Sequence, residues 1–403
     1  MITRARGFIS FLLNNEKGNY LLIGLFALIA HGLLLLNDGV YWDGWLIYVG
    51  KFKDRWDLIS GIYADRGGLP IYTAFHWVLY QFPYFVFGYK FVAYLFILFS
   101  SLFVYRIAAL LIGSPQIALF IALISLTYPA DQANVELIVI PYLLSYFLFW
   151  LGCLFLTIAI SKQRRATWWH VGAVVSLLLS FRMYSLLVYF YSFLFLLFLV
   201  WWSKKDRKPF IDVVVTYARA YWFFFLLPIL FWLGNYWLFP PSGPYVNSDA
   251  FIFDASVLPL IQAYFTNGLV GQILASLTNL INPVILGIAV AISLIVATQF
   301  KADKATQKWI GLGKAAWVLL FSGAVFFVAG FLPYVVVGRS IGLQGWSTRN
   351  AVLIAVPVAM MLSGLVWGII QYIKKIDKKN AVKTAVFIFS VLIILFTVET
   401  VEF

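Results

Sequence analysis

Long apolar runs separated by short polar breaks fill almost the whole chain, and the runs have the length of helices that cross a bilayer. The first, Tyr20 to Leu36, follows the basic start MITRARGFISFLLNNEKGN and has no small-residue cleavage site, so it reads as an uncleaved first helix. Asn37 to Pro70 is then polar, and Ile71 to Phe87, aromatic-rich and broken by Pro83, reads as a re-entrant or interfacial segment. Further runs cover Phe91 to Ile112, Ile117 to Tyr128, Leu137 to Ile160, Trp168 to Phe181, Leu186 to Trp202, Tyr221 to Phe239, Leu280 to Gln299, Ala315 to Val336, Ala351 to Tyr372 and Thr384 to Val398. The pattern predicts an all-α fold, a single polytopic transmembrane bundle over 1–403 of roughly 11 spans at about 20 residues each. Residues 37–90 form a large first external loop with the re-entrant segment. Residues 240–279, rich in Pro, Gly and Asn, form a second, with a short helix near Leu258 to Phe265.

Composition agrees: 63% of the 403 residues are hydrophobic and 11% charged, with a mean hydropathy of +0.92, too apolar for a soluble protein of this length. The net charge of +13 is not a nucleic-acid footprint, because 20 of the 29 Lys and Arg fall in five segments that punctuate the apolar runs. Those segments are Arg4–Lys17, Lys162–Arg165, Lys204–Arg219, Lys301–Lys314 and Lys374–Lys383. This is the positive-inside pattern, predicting a multi-pass cell-membrane protein with a cytoplasmic N-terminus. Of 16 acids, Glu16, Asp206, Asp212, Asp303 and Asp377 then lie inside, which leaves 11 outside and predicts an extracytoplasmic site. One cysteine, Cys153, and three scattered histidines argue against a cysteine-pair or histidine-cluster metal site.

The acids concentrate in NDGVYWDGWLIYVGKFKDRWDLISGIYADRGGLP, which holds five aspartates directly after the first span. Charge held close to hydrocarbon is costly and tends to be retained where function uses it. Tyr41-Trp42-Asp43-Gly44-Trp45 sets a carboxylate among rings that can tune it as a general base. Asp38 is the second candidate. The plainer reading is an interfacial aromatic belt with a solvated aspartate. In Ala64 to Pro70, Arg66 either pairs with Asp65 or reaches a phosphate, and the glycine pair allows close backbone approach. Asp131 and Glu136 on the turn PADQANVE add carboxylates for an acceptor or a weak cation site, or make an ordinary hydrophilic turn. Arg182, Arg339 and Arg349 lie near the outer face, where the guanidinium fork suits a lipid phosphate and external aspartates are the alternative partners. His76 joins the acceptor-side candidates, with a packed histidine as its other reading.

In this arrangement the chain resembles the GT-C superfamily of membrane glycosyltransferases. The resemblance rests on the acidic first loop with Asp38 and Asp43, Gly-Gly-Leu-Pro before a re-entrant stretch, a short third helix with an acidic turn, and late arginines. It implies transfer of a sugar from a polyprenyl-phosphate donor to a hydroxyl of a glycan, lipid or protein acceptor, with inversion. Asp43 or Asp38 would be the base, Arg349, Arg339 and Arg66 the phosphate ligands, and Trp42, Trp45, Asp131, Glu136 and His76 the acceptor or sugar contacts. No cofactor is certain, and a divalent cation is compatible with the family. The adjacent acidic pair of some members is absent, Asp43 being followed by Gly44. A lipid-linked-sugar flippase or transporter, for which Arg106 is the main charge within a span, and an O-antigen polymerase or ligase are the alternatives.

Overall fold

The computed structural model describes residues 2–402 except 54, 67–69, 162–165, 204–209, 243–245, 247–250, 252–255, 303–312 and 375–379. The Gly67-Gly68 pair, Asp54 and much of the later basic segments therefore lie outside the described residues. No strand occurs among the described residues. Nine of their helical segments are long and apolar enough to cross a membrane, and we treat the chain as a multi-pass membrane protein.

Helix α1 (Ile2–Asn14) turns at Asn15 into α2 (Glu16–His31), whose first turn is capped by the Asn15 side chain accepting from the Lys17 amide. A short 3-10 turn, Gly32–Leu36, ends that span. Three short helices follow, α3 (Gly44–Phe52), α4 (Trp56–Asp65) and α5 (Pro70–Tyr80), each far below crossing length. The break expected at Pro83 is present, but the next span, α6 (Phe85–Ile112), starts six residues earlier than its hydropathy indicates. It stops at Gly113, whose φ of 76° is the left-handed end that glycine adopts most readily. Ser114 then caps α7 (Pro115–Thr127) by accepting from the Ile117 amide, with Pro115 in the first turn.

Helix α7 is the centre of the bundle. It is apolar on every side and buried along nearly its whole length, as a helix without a polar face must be. It packs against α2 and α6 and against two later spans, α15 (Ala355–Lys374) and α16 (Ala381–Val401). Its 13 residues extend only about 20 Å against the roughly 30 Å of a hydrocarbon core. Its last turn is level with the ends of α2 and α16, since His31 bonds the Leu126 carbonyl and Thr400 the Thr127 carbonyl.

Outside this core run α8 (Ile140–Ser161), α9 (Ala166–Ser180), α10 (Ser185–Ser203) and α11 (Phe210–Leu238). Helix α13 (Pro283–Gln299) packs on α16, and α14 (Gly313–Val335) pairs with α15. That pair is close because Gly364 faces the backbone of Ala316 and Leu320, where a β-carbon would come within 2.7 Å of the Leu320 nitrogen. Small residues at such crossings let helix backbones meet in a membrane.

The segment 240–279 departs from expectation. A helical segment, α12 (Val257–Ile281), takes the place of a loop with one short helix and includes a π-helical stretch over Tyr264–Gly271. It is long enough to span, yet its hydrogen bonds hold it to one end of the bundle. Tyr128 donates to the Gly268 carbonyl (2.7 Å), and Asn267 and Gln272 donate to Ile341 (3.0 Å) and Leu343 (2.9 Å). Asn279 donates to Glu399 (3.0 Å), beside Thr400, which bonds the Thr127 carbonyl. Helix α12 thus lies over the end formed by the last residues of α7, α14 and α16. At the opposite end Asn14 and Gln116 bind one another and the backbone after α13.

Candidate functional site

Three distant segments meet beyond the last turn of α7: the first loop, the turn 129–136 and the loop 337–351. The turn and the late loop are joined by Thr348. Its buried hydroxyl accepts from the amides of Gln132 (3.1 Å) and Ala133 (3.0 Å) and donates to the Gly345 carbonyl (2.7 Å). Gln132 returns the bond by accepting from the Gly345 amide at 3.1 Å. Gly345, with φ at 76°, leads into the 3-10 turn Trp346–Ala351. The first loop joins through a ring contact: the Trp42 and Trp346 rings lie 5.7 Å apart, tilted by 38°. Trp42 itself has φ of 40°, an unusual conformation for a bulky side chain that marks local strain.

Asp43 stands before α3, exposed, its carboxylate not used as a cap. The next residue sets the contact with the acidic turn, since Gly44 is buried directly against the carboxyl of Glu136. Glu136 has no exposed surface, and neither of its oxygens makes a hydrogen bond of ordinary geometry. Burial pushes its pKa up to about 7, offset in part by nearby Ile138 and Leu137 amides and by Lys90, while Asp43 adds to the rise. Asp131, on the same turn, is likewise raised to about 7 by burial, with the Ala133 amide opposing.

Lys90, at the site end of α6, is buried, donates to the Val135 carbonyl (2.6 Å) and lies 5.2 Å from the centre of the Tyr41 ring. It is in electrostatic reach of Glu136 and Asp38, so it links the exposed Asp38 to the acidic turn. Sequence reasoning passed over Lys90, Thr348 and Gln132. A single lysine inside the apolar run FVFGYKFVAYLF is a signal that was available. The other two are ordinary loop residues with no such mark.

Three arginines lie within electrostatic reach of one another and of Asp43. Arg349 lies flat on Trp346, 3.9 Å from the ring centre. Burial lowers its pKa first; Tyr142 and Asp43 favour its charge, and Arg339 and Arg66 oppose it. Arg349, Arg339, Arg66 and Asp43 therefore share one field. Asp65 accepts from the Ser242 hydroxyl (3.0 Å), which ties α4 to the chain after α11. Arg182 is turned to α11, bonded to Asn235 and stacked on Phe231 and Phe239.

Two candidates sit apart. Trp45 is exposed on α3, edge-on to Tyr48 at 5.3 Å. His76 has no exposed surface. It is clamped between the hydroxyls of Tyr63 (2.6 Å) and Tyr89 (2.5 Å), and burial lowers its pKa to about 3. It is a packed, neutral histidine, in keeping with the packed reading of this residue. Among the described residues no three His, Cys, Asp or Glu side chains come together as a metal site. The Asp43 and Glu136 pair has the Lys90 ammonium close to Glu136, so this donor set does not fit a resident divalent cation.

The fold and site define a multi-pass helical membrane protein in which acidic and basic side chains of three loops come within electrostatic reach at one end of the bundle. No family model, curated protein or solved structure matches the chain.

Proposed function

We propose that the protein is a membrane glycosyltransferase that moves a sugar from a polyprenyl-phosphate carrier to an acceptor hydroxyl at the extracytoplasmic face. The observation that supports this reading is that the exposed Asp43 shares one electrostatic field with Arg349, Arg339 and Arg66, beside the Trp42 and Trp346 rings. In the reaction the acceptor oxygen bonds to the anomeric carbon as the bond from that carbon to the phosphate oxygen breaks. The phosphate leaves with the electron pair, and the configuration inverts. Asp43 takes the acceptor proton, Asp38 being the other candidate. Arg349, with Arg339 and Arg66, offsets the charge that grows on the leaving phosphate. The Trp42 and Trp346 pair supplies the flat surface for a sugar, and apolar grooves between helices take the prenyl chain. In the proposed topology the N-terminus is cytoplasmic. Against the transporter alternative, Arg106 is matched by Glu16 at 2.5 Å.

The test is release of polyprenyl phosphate from a panel of polyprenyl-phosphate sugars by purified protein in nanodiscs, with envelope-glycan acceptors supplied. Asp43→Asn should lose about 100-fold or more of turnover while still binding the donor. Equal turnover in both would move the base to Asp38. Transbilayer movement of a lipid-linked sugar with no turnover would replace the enzyme by a transporter.

A further inference from the structure

Arg182, in the turn between α9 and α10, is a cation that the proposed reaction does not use. Helix α11 and the residue after it present Phe231, Asn235 and Phe239 to it at a spacing of four, which is one helical face. The helical bonding reaches that far, since the Phe239 amide donates to the Asn235 carbonyl at 2.9 Å. The two ring centres lie 5.6 and 4.8 Å from the central carbon of the guanidinium, and one of its nitrogens donates to the Asn235 side-chain oxygen. Asn235 in turn donates to the Tyr184 hydroxyl, which fixes the direction of the amide.

No carboxylate completes this cluster. Among the described residues the ion pairs are Arg55 with Asp57 and Arg106 with Glu16, so the external aspartates named as alternative partners do not pair with Arg182. Burial lowers its pKa, with Tyr184 and Tyr72 opposing, yet part of the side chain stays open to the surroundings. A guanidinium carries five donors in its own plane. Rings over its faces leave that plane accessible, and phosphate oxygens match its fork edge-on.

The surroundings indicate what carries the phosphate. The end of α11 exposes Trp232, Tyr236 and Trp237, and Tyr184 is exposed in the same turn as Arg182. Tryptophan and tyrosine collect at the headgroup level of a bilayer. Further along the same helices, away from that end, Leu179 of α9, Val188 of α10 and Ile229 of α11 are exposed apolar side chains suited to a hydrocarbon chain. A free anion would gain nothing from them. The cluster also borders the other arginines: Ser242, three residues past Phe239, bonds Asp65 through both its amide and its hydroxyl, and Asp65 precedes Arg66.

We propose that Arg182, held by the Phe231, Asn235 and Phe239 face of α11, is a docking site for the phosphate of an anionic lipid in the leaflet at this end of the bundle. Identifying that lipid as the polyprenyl-phosphate donor on its way to Arg349 rests on the glycosyltransferase reading above, whereas the binding itself does not.

Native mass spectrometry of the detergent-purified full chain tests this, with dioleoyl phosphatidylglycerol or dioleoyl phosphatidylcholine added. Wild type should retain severalfold more of the anionic lipid, and Arg182→Gln should lose most of that excess. Arg182→Lys keeps the charge without the planar fork. It should fall between the two, and it decides the matter if the glutamine variant does not fold. Arg106→Gln, which removes a cation already paired with Glu16, should bind as wild type does. Farnesyl phosphate should displace phosphatidylglycerol from wild type, and inorganic phosphate at the same concentration should not. Wild-type retention by folded Arg182→Gln or, failing that, by Arg182→Lys would overturn the proposal. An equal loss in Arg106→Gln, or displacement by inorganic phosphate as effective as by farnesyl phosphate, would also overturn it. The polyprenyl-phosphate release assay separates the two readings. Lipid retention without turnover of any donor sinks the transferase and leaves the docking site. Turnover with an unchanged KM for the donor, in an Arg182→Gln protein that no longer retains lipid, sinks the donor's passage through Arg182 alone.

Discussion

A β-carbon added to Gly44 would stand 1.8 Å from Oε1 of Glu136, a carboxyl with no exposed surface. The start of α3 therefore rests on the acidic turn at a distance only glycine allows, and this contact sets where Asp43 stands. Alanine at 44 must push α3 away or displace Glu136. Overpacking of this kind costs about 1–3 kcal/mol, and a shift of ~1 Å at a reacting group costs about 100-fold in rate. Gly44→Ala should thus lose turnover out of proportion to its loss of thermal stability, measured by donor release and by melting in detergent. Equal turnover would show that Asp43 is not positioned through this contact.

The two buried acids make stability depend on pH. Folding raises Glu136 from 4.5 and Asp131 from 3.8, each to about 7. Each binds its proton more tightly in the fold than in the unfolded chain. Each therefore favours the fold at acid pH, and that advantage is lost as pH rises through about 7. The loss is on the order of 3 to 4 kcal/mol per group at most. Glu136→Gln and Asp131→Asn should each raise the melting temperature at pH ~8 more than at pH ~5, and the double variant should flatten the profile most. A wild-type melting temperature that climbs between those values would contradict this.

Trp42 offers a test of backbone strain. At a φ of 40° glycine is at ease, whereas any other side chain meets a penalty of about 1–2 kcal/mol. Trp42→Gly should therefore be more stable than Trp42→Ala by about 1 kcal/mol, the reverse of the usual order. Both should weaken donor use, since both remove the ring that contacts Trp346. Chemical or thermal unfolding of the two variants side by side decides it.

One hydroxyl supplies two of the hydrogen bonds that dock the late loop. Thr348→Val keeps the shape but strips two amides, those of Gln132 and Ala133, of their acceptor. Leaving buried donors unpaired costs roughly 1–3 kcal/mol each. Amide exchange should accelerate in residues 132–133 and 345–348 of Thr348→Val and stay unchanged in α7. Uniform acceleration would mean global destabilisation instead of release of the loop.

The sequence by itself determined the all-helical membrane class, most of the helical segments and the break at Pro83, because run length and hydropathy are local properties. It also marked Asp43, Glu136, Arg339 and Arg349, since charge in an apolar chain stands out wherever it falls. Only the tertiary structure decided what these residues do together. Hydrogen bonds between the turn at 132–133 and Thr348 join segments with no trace of one another in their local sequence. That α7 is enclosed on all sides depends on its neighbours. Burial, not sequence, removed His76 from the surface and brought Lys90 beside Glu136. Helix α12 has the composition of a span, and hydrogen bonds from Asn267, Gln272 and Asn279 hold it over one end of the bundle. Apolar patterning fixes which residues avoid water, whereas the pairing of the few polar groups fixes where the helices lie.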